Sequence, residues 1–349
     1  MSERIAVGVL GATGMVGQKF VHFLRDHPWF EITWVGASDR SAGKKYSQAT
    51  SWRLDGAMPP AVREIVVSEC VPDERSPKLV FSATDASVAT EIERAFAQAG
   101  ATVVSNSRNH RMDDDVPLLV PEINADHLKI LDAQKRARGW TGQIVTNPNC
   151  STIVMVMALA PLKRFGIKRV MVTTMQAISG AGYPGVASMD INANVIPFIS
   201  GEEEKMERET QKILGEFAGS RIEPLSAQVS AACNRVPVVD GHLLSVSIEL
   251  EKRVSEAEIV GAWRGWRGIP QHKGLPSAPP CPVIYMEEPD RPQPRRDVER
   301  ENGMAVFVGR LRRCAVLDFK FMALGHNTAR GAAGVAVLNA ELMKSEGYL

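Results

Sequence analysis

The sequence has no CxxC pair, no long apolar run and no excess of charge of either sign, and each absence closes off a class of protein. Its five cysteines (Cys70, Cys150, Cys233, Cys281 and Cys314) are odd in number and widely spaced. That spacing argues against a disulfide framework and against a structural zinc site, and it fits a reducing cytoplasm. No stretch approaches the ~18 apolar residues of a membrane span, and residues 1–30 hold no signal-peptide core, so no membrane is expected. Lys plus Arg number 41 against 40 Asp plus Glu, with no basic tail or aromatic-interleaved basic stripe. Nucleic acid is therefore not an expected partner. No internal repeat or low-complexity tract is present. What remains is an ordinary globular chain of 349 residues, 44% hydrophobic and 23% charged, long enough for two domains.

Ile5 to Leu10 is a continuous apolar run, as a strand buried on both faces would be. Gly11-Ala12-Thr13-Gly14-Met15-Val16-Gly17 follows, and then a helical pattern through Phe20, Val21 and Leu24. Strand, glycine turn and helix in this order give a dinucleotide-binding expectation, with the glycines admitting a pyrophosphate to a helix N-terminus. The spacing is GxxGxxG rather than GxGxxG, and a plain tight turn explains such a match almost as well. The next strand, Ile32 to Ala37, ends in Ser38-Asp39-Arg40-Ser41, with Lys44 close behind. Donors and positive charge beside Asp39 suit the 2′-phosphate of NADP, against a solvated loop as the plain alternative. Leu79 to Ser82, Thr102 to Ser105 and Ile144 to Thr146 read as further strands, with a helix from Val88 to Ala99. The alternation predicts a parallel, doubly wound α/β sheet of Rossmann type. Asp113-Asp114-Asp115 reads as a solvated turn, because consecutive carboxylates do not converge on one ion, and no metal is expected.

After the last of these strands, Asn147-Pro148-Asn149-Cys150-Ser151-Thr152 delivers a cysteine to the start of an apolar helix. Free N–H groups and the helix dipole there favour a thiolate, so Cys150 is expected to ionise near neutral pH and act as a nucleophile. A small buried hydrophobe is the alternative for a free cysteine. The position at the C-terminal end of a sheet strand, where ligands bind in such folds, favours the nucleophile.

Beyond Cys150 the pattern changes. Val170 to Thr174 is β-branched, and Glu202 to Phe217 is helical, with Glu202 and Lys205 on one face of its first turn. Leu243 to Leu250, Met304 to Val308 and Ala315 to Met322 read as strands of a mainly antiparallel sheet, giving an α+β second domain. Ser255 and Glu258 form a capping box for a helix to Trp266. Pro270 to Arg296 holds eight prolines and is expected to be an extended connector with little regular structure. Arg235 and His242 stand out, the histidine before a strand. Asn327 to Leu342 reads as a small-residue helix that returns to the first domain. The expected division is 1–150, completed by 327–349, for the dinucleotide, and 151–326 for catalysis and dimerisation.

These stretches together resemble the aspartate-β-semialdehyde dehydrogenase family, in particular its archaeal/fungal-like branch, nearly end to end. The resemblance rests on GATGMVGQ (11–18), SNSRNHRMDDDVPLLVPEIN (105–124), TNPNCST (146–152), QAISGAGYPG (176–185), EEEKMERET (202–210), RVPVVDGH (235–242) and HNTARGAAG (326–334). It implies Cys150 as the nucleophile that forms a thioester and His242 as the acid/base. Arg235 would clamp the substrate α-carboxylate and Glu202 the amino group. Lys205 and Arg111 would hold the phosphate, and Gln176 and Asn149 would orient substrate. Asn327, Ser179 and Gly180 would touch the cofactor, along with Ser82 and Ala83. The implied activity is NADP-dependent reductive dephosphorylation of L-4-aspartyl phosphate in lysine, threonine and methionine synthesis, by a homodimer or homotetramer. His326 departs from the acidic residue of many bacterial relatives. The rivals are a malonyl-CoA reductase of the same branch, N-acetyl-glutamyl-phosphate reductase, and a catalytically inactive cofactor-binding homologue. The first of these has no substrate amino group for Glu202 to receive.

Overall fold

Two six-stranded sheets share the chain, and the computed structural model describes residues 4–349. The first sheet is built from β1 (Ile5–Leu10), α1 (Met15–Leu24), β2 (Phe30–Ala37), β3 (Ser68–Glu69), β4 (Leu79–Ser82), α2 (Ala86–Gln98), β5 (Thr102–Ser105), α3 (Leu131–Arg138) and β6 (Gln143–Thr146). Its strand order is β3-β2-β1-β4-β5-β6, with every pairing parallel. β4, β5 and β6 are buried at every position, which is why they read as unbroken apolar runs rather than as alternation. The order reverses between β1 and β4, and the C-terminal ends beside that point form the crevice in which such sheets bind ligands.

Directly after β6 the chain enters α4 (Cys150–Leu159), in which every residue from Ser151 onward is buried. A helix that is apolar all round has to lie inside the protein. α4 does so, packed against a second sheet. That sheet takes β7 (Ile167–Gln176), α5 (Glu202–Ile213), the short hairpin β8 (Glu216–Phe217) and β9 (Ile222–Glu223), which pair only with each other, then β10 (Gln228–Arg235), β11 (His242–Leu250), α6 (Glu256–Gly265), β12 (Val283–Met286), β13 (Val306–Arg313) and β14 (Phe319–Gly325). The order is β10-β7-β11-β14-β13-β12. Its three central pairings are antiparallel, and the two outermost, β10 with β7 and β12 with β13, are parallel. One face packs on α4 and α5. The other presents alternate residues, including Met171, Thr173 and Ser245, to solvent. The capping box of α6 forms as expected, Ser255 Oγ accepting from the Glu258 N–H.

The chain then returns through a π-helical turn (Ala329–Ala333) into α7 (Gly334–Ser345), whose residues Gly334 to Met343 are all buried. Ala336, Val337, Leu338, Leu342 and Met343 of α7 lie in one hydrophobic cluster with Val7, Phe20 and Phe81 of the first sheet and its α1.

Four expectations need correction. The proline-rich segment is not a plain connector: it contains β12 and short helices at Ile269–Lys273 and Pro294–Asp297. Pro282 stands just before β12, which is an edge strand, and proline is tolerated at the start of an edge strand because no ladder donor is lost there. The Asp113–Asp115 turn is not simply solvated: Arg138 bonds Asp115 and Asp113, at 2.5 and 2.8 Å. The helix expected to reach Phe217 stops at Ile213, because Glu216 and Phe217 pair with Ile222 and Glu223 instead. The last strand begins at Phe319 rather than Ala315, since residues 314–318 close a turn through Cys314 N–H to the Asp318 carbonyl. No helix of the described residues is long and apolar enough to cross a membrane.

Candidate active site

The site grows from the first turn of α4. Asn149 caps the helix, its Oδ1 accepting from the N–H groups of Ser151 (2.8 Å) and Thr152 (3.1 Å). Its Nδ2 donates to Glu202 Oε1 at 2.7 Å, and its backbone N–H donates to Glu209 Oε2 at 2.6 Å. The half-buried Cys150 is thereby held with Sγ 3.1 Å from His242 Nε2. Gly331 of the π-helical turn closes the other side: a Cβ there would lie 2.8 Å from Cys150 Cβ, so the returning chain packs directly against this cysteine.

Sheet register brings the partners in. β10, β7 and β11 are neighbours, and Gln176 at the end of β7 lies opposite Arg235 at the end of β10. His242 opens β11 on the other side of β7. Arg235 Nη1 donates to the Ala177 carbonyl (2.8 Å), and the Ala177 N–H donates to His242 Nδ1 (3.0 Å). Nδ1 is thus an acceptor, and the neutral ring carries its proton on Nε2, facing sulfur. Gly180 lies over both: a Cβ would sit 2.9 Å from Arg235 Nη1 and 3.0 Å from His242 Cε1. Gln176 is buried, with Nε2 on Thr174 Oγ1 at 3.3 Å.

The electrostatics differ from the expectation drawn from the helix start. Burial pushes the Cys150 thiol up to about 12, the Glu202 charge adds to this, and Arg111, Arg235 and Lys205 only partly offset it. The first-turn N–H groups that were to favour a thiolate are taken by Asn149. Burial also pulls His242 down to about 3, against the nearby Glu202, with Arg235 and His326 adding to the fall. The resting pair is a neutral thiol beside a neutral imidazole. Glu202 is the fixed anion. Burial opposes its charge, but Lys205 (3.0 Å) and the Asn149 amide hold its carboxyl below the ordinary value.

A cavity of about 480 Å³ opens above Cys150, lined among others by Met15, Lys19, Asn106, Arg111 and Thr328. Val16, Asn149, Ser179, Gly180 and Asn327 also line it. Asn327 is engaged on both sides, its Oδ1 accepting from the Gly241 N–H (2.9 Å) and its Nδ2 donating to Ser179 Oγ (2.7 Å). The glycine turn lies at one end. A Cβ on Gly17 would fall 2.3 Å from the Gly11 carbonyl oxygen, so α1 starts hard against the turn. No side chain caps α1 and its first turn holds no acidic residue, which leaves N–H groups for an anionic pyrophosphate. Thr13 and Gly14 complete that turn. Ser82 and Ala83 adjoin it, Ala83 N–H bonding the Leu10 carbonyl. Ser38, Arg40, Ser41 and Lys44 share one turn after β2, with Lys44 Nζ on the Arg40 carbonyl (2.8 Å), and none of the four lines the cavity.

Sequence reasoning gave no role to Glu209, Lys212 or Asn106. Glu209 binds Arg111 Nη1 (2.9 Å), and Lys212 donates to the carbonyls of Arg111, Asp113 and Val116. The signal was present as spacing: 202, 205, 209 and 212 follow the stripe of one helix face.

A doubly wound parallel sheet with an uncapped helix beyond its glycine turn, joined to a sheet that brings an imidazole to a cysteine, is the architecture of a dinucleotide-binding oxidoreductase. The comparisons place the chain within that class. The model of the semialdehyde dehydrogenase NAD binding domain matches residues 6–131, and that of the semialdehyde dehydrogenase dimerisation domain matches residues 159–330. The aspartate-semialdehyde dehydrogenases of Archaeoglobus fulgidus and Methanothermobacter thermautotrophicus are 49% and 50% identical, over 98% and 97% of this chain and 99% of each relative. The Candida albicans aspartate-semialdehyde dehydrogenase, solved with NADP, superposes with a TM-score of 0.92 at 42% identity, covering 99% of this chain and 100% of that one. The chain belongs to the aspartate-semialdehyde dehydrogenase family.

Proposed function

We propose that the protein reduces L-4-aspartyl phosphate to L-aspartate 4-semialdehyde with NADPH, reversibly, through a thioester on Cys150. The observation that carries this reading is the Cys150–His242 contact at 3.1 Å, set beside the Asn149–Glu202–Lys205 cluster. That cluster supports an aspartyl substrate over a malonyl one, because a buried carboxylate beside the nucleophile suits an ammonium group. Arg235, buried at a strand end, offers the planar fork that a carboxylate takes. Arg111 and Lys205 are the cations for the phosphoryl group. Gln176 and Asn149 orient the acyl carbon.

Sulfur attacks the acyl carbon, the C–O bond to phosphate breaks, and the thiol proton leaves with the phosphate. His242 donates a hydrogen bond from Nε2 to the sulfur, and then to the oxygen on the tetrahedral carbon. Bound NADPH supplies the hydride that reduces the acyl carbon. The adduct collapses by breaking the C–S bond, and the sulfur, with Nε2–H still beside it, takes a proton from solvent. The turn Gly11–Gly17 with Met15 and Val16 would hold the pyrophosphate, and Ser82 and Ala83 lie next to it. Ser179, Gly180 and Asn327 would border the nicotinamide end, and Ser38, Arg40, Ser41 and Lys44 would take the 2′-phosphate.

The division at Cys150, with a return to the first domain from Asn327, is the functional division we propose. The open face of the second sheet, with Met171 52% exposed and Val316 of the adjoining turn 81% exposed, supports assembly into a homodimer or homotetramer. Five free thiols support a reducing, cytoplasmic setting. The test is oxidation of aspartate semialdehyde, expected to require both NADP and phosphate. Cys150→Ser should abolish turnover and keep NADP binding, and Arg235→Ala should lower kcat/KM. Turnover of malonyl-CoA without turnover of the semialdehyde would overturn the reading.

A further inference from the structure

Arg111 sits in the cavity beside Cys150, with two of its five N–H donors already committed. Nη1 is on Glu209, Nη2 is on the Asn106 carbonyl (3.0 Å), and Nε is buried with no partner. Glu209 itself is 2% exposed, and its carboxylate divides between two tasks. Oε1 accepts from Arg111 at 2.9 Å and Oε2 accepts from the backbone N–H of Asn149 at 2.6 Å. Asn149 is both the cap of α4 and the residue before Cys150. One turn further along α5, Lys212 holds three carbonyls of the loop that carries Arg111. The nucleophile has no slack on its far side, where Gly331 packs against it.

We propose that Glu209 is a positioning residue that ties the phosphate subsite at Arg111 to the backbone of the nucleophile loop. It fixes the guanidinium so that its free Nε is left for an anion, and it fixes Asn149 so that Cys150 meets the acyl carbon. The inference rests on the phosphoryl substrate proposed above. Glu209→Gln discriminates this role from plain packing. An amide accepts through one oxygen only, so its NH₂ must face either the Asn149 N–H or the guanidinium, donor against donor. The shape is kept while one of the two bonds is lost. Glu209→Asp keeps both acceptors on a shorter arm.

A charge-assisted bond of this kind is worth about 1.5–3 kcal/mol, so Glu209→Gln should raise KM for phosphate about tenfold or more and lower kcat by a similar factor. KM for the aldehyde should stay within about twofold, and Glu209→Asp should recover part of both losses. A second readout needs no turnover. Alkylation of Cys150 by iodoacetamide, followed on its own peptide, should be slowed by inorganic phosphate in the wild type, and Glu209→Gln should need at least about tenfold more phosphate for the same protection. If Glu209→Gln does not fold, Glu209→Asp carries the same test through a raised KM for phosphate. Wild-type phosphate KM and intact phosphate protection in the folded variants would overturn the positioning role alone. A wild type that phosphate neither protects nor serves as substrate would overturn the functional reading with it.

Discussion

Cys150 and His242 meet at 3.1 Å with no charge on either, and this sets how the thiol reacts. A thiol whose pKa is raised from 9.0 to about 12 holds less thiolate at any working pH than a free cysteine does. Alkylation of Cys150 in the free protein should therefore keep climbing with pH from 7 to 10, rising about tenfold per unit, with no plateau near neutrality. A rate that levelled off below pH 8 would show a thiolate already formed. The sequence placed this cysteine correctly at a helix start after a sheet strand, because both features are local. It misjudged the ionisation, because the main causes are not local: burial by the folded chain raises the thiol most, and the charge that adds to this comes from Glu202, 52 positions on in the chain.

At the scale of one element, α5 has three faces. Glu202, Lys205, Glu209 and Lys212 point at the Cys150 loop and the Arg111 loop. Met206 and Ile213 enter the core. Glu203 and Glu207 accept from the Cys233 (3.0 Å) and Ala231 (3.1 Å) N–H groups of β10, the edge strand that also carries Arg235. An open edge offers unpaired donors to any passing strand, and here two carboxylates occupy them. Replacing both, as Glu203→Ala with Glu207→Ala, should cost about 1 kcal/mol of stability at these partly solvated positions. The readout is a lower urea midpoint. An unchanged midpoint would mean that water replaces the carboxylates without loss. Periodicity made the helix and its first turn legible. The hydrogen-bonding partners of Glu203, Glu207 and Glu209 were not, since each depends on a strand or loop that only the folded chain brings close. β12 was hidden for a different reason: its prolines stand beside the strand rather than within it.

Across the whole molecule, a buried ion pair ties the returning chain back to the first domain. Arg330 of the π-helical turn pairs with Glu122 at 2.6 Å, both side chains wholly buried, and Arg330 Nε holds the Met304 carbonyl (2.7 Å). Removing one partner strands a charge in the interior. Arg330→Met alone should destabilise the protein by about 3–5 kcal/mol in urea denaturation, and adding Glu122→Met should restore much of the loss. Two losses that simply add would show that the residues act independently. The parallel sheet, the second sheet and the return of the chain were all foreseen from strand runs and glycine spacing. This buried pair was not, because its partners are 208 positions apart. The return also bears on how the protein is made. Residues of α7 complete the cluster around Val7, Phe20 and Phe81, so the first sheet to leave the ribosome is the last to be finished. Until residues near 343 emerge, its apolar face stays open, and a growing chain of this kind depends on holding that face apart from its neighbours.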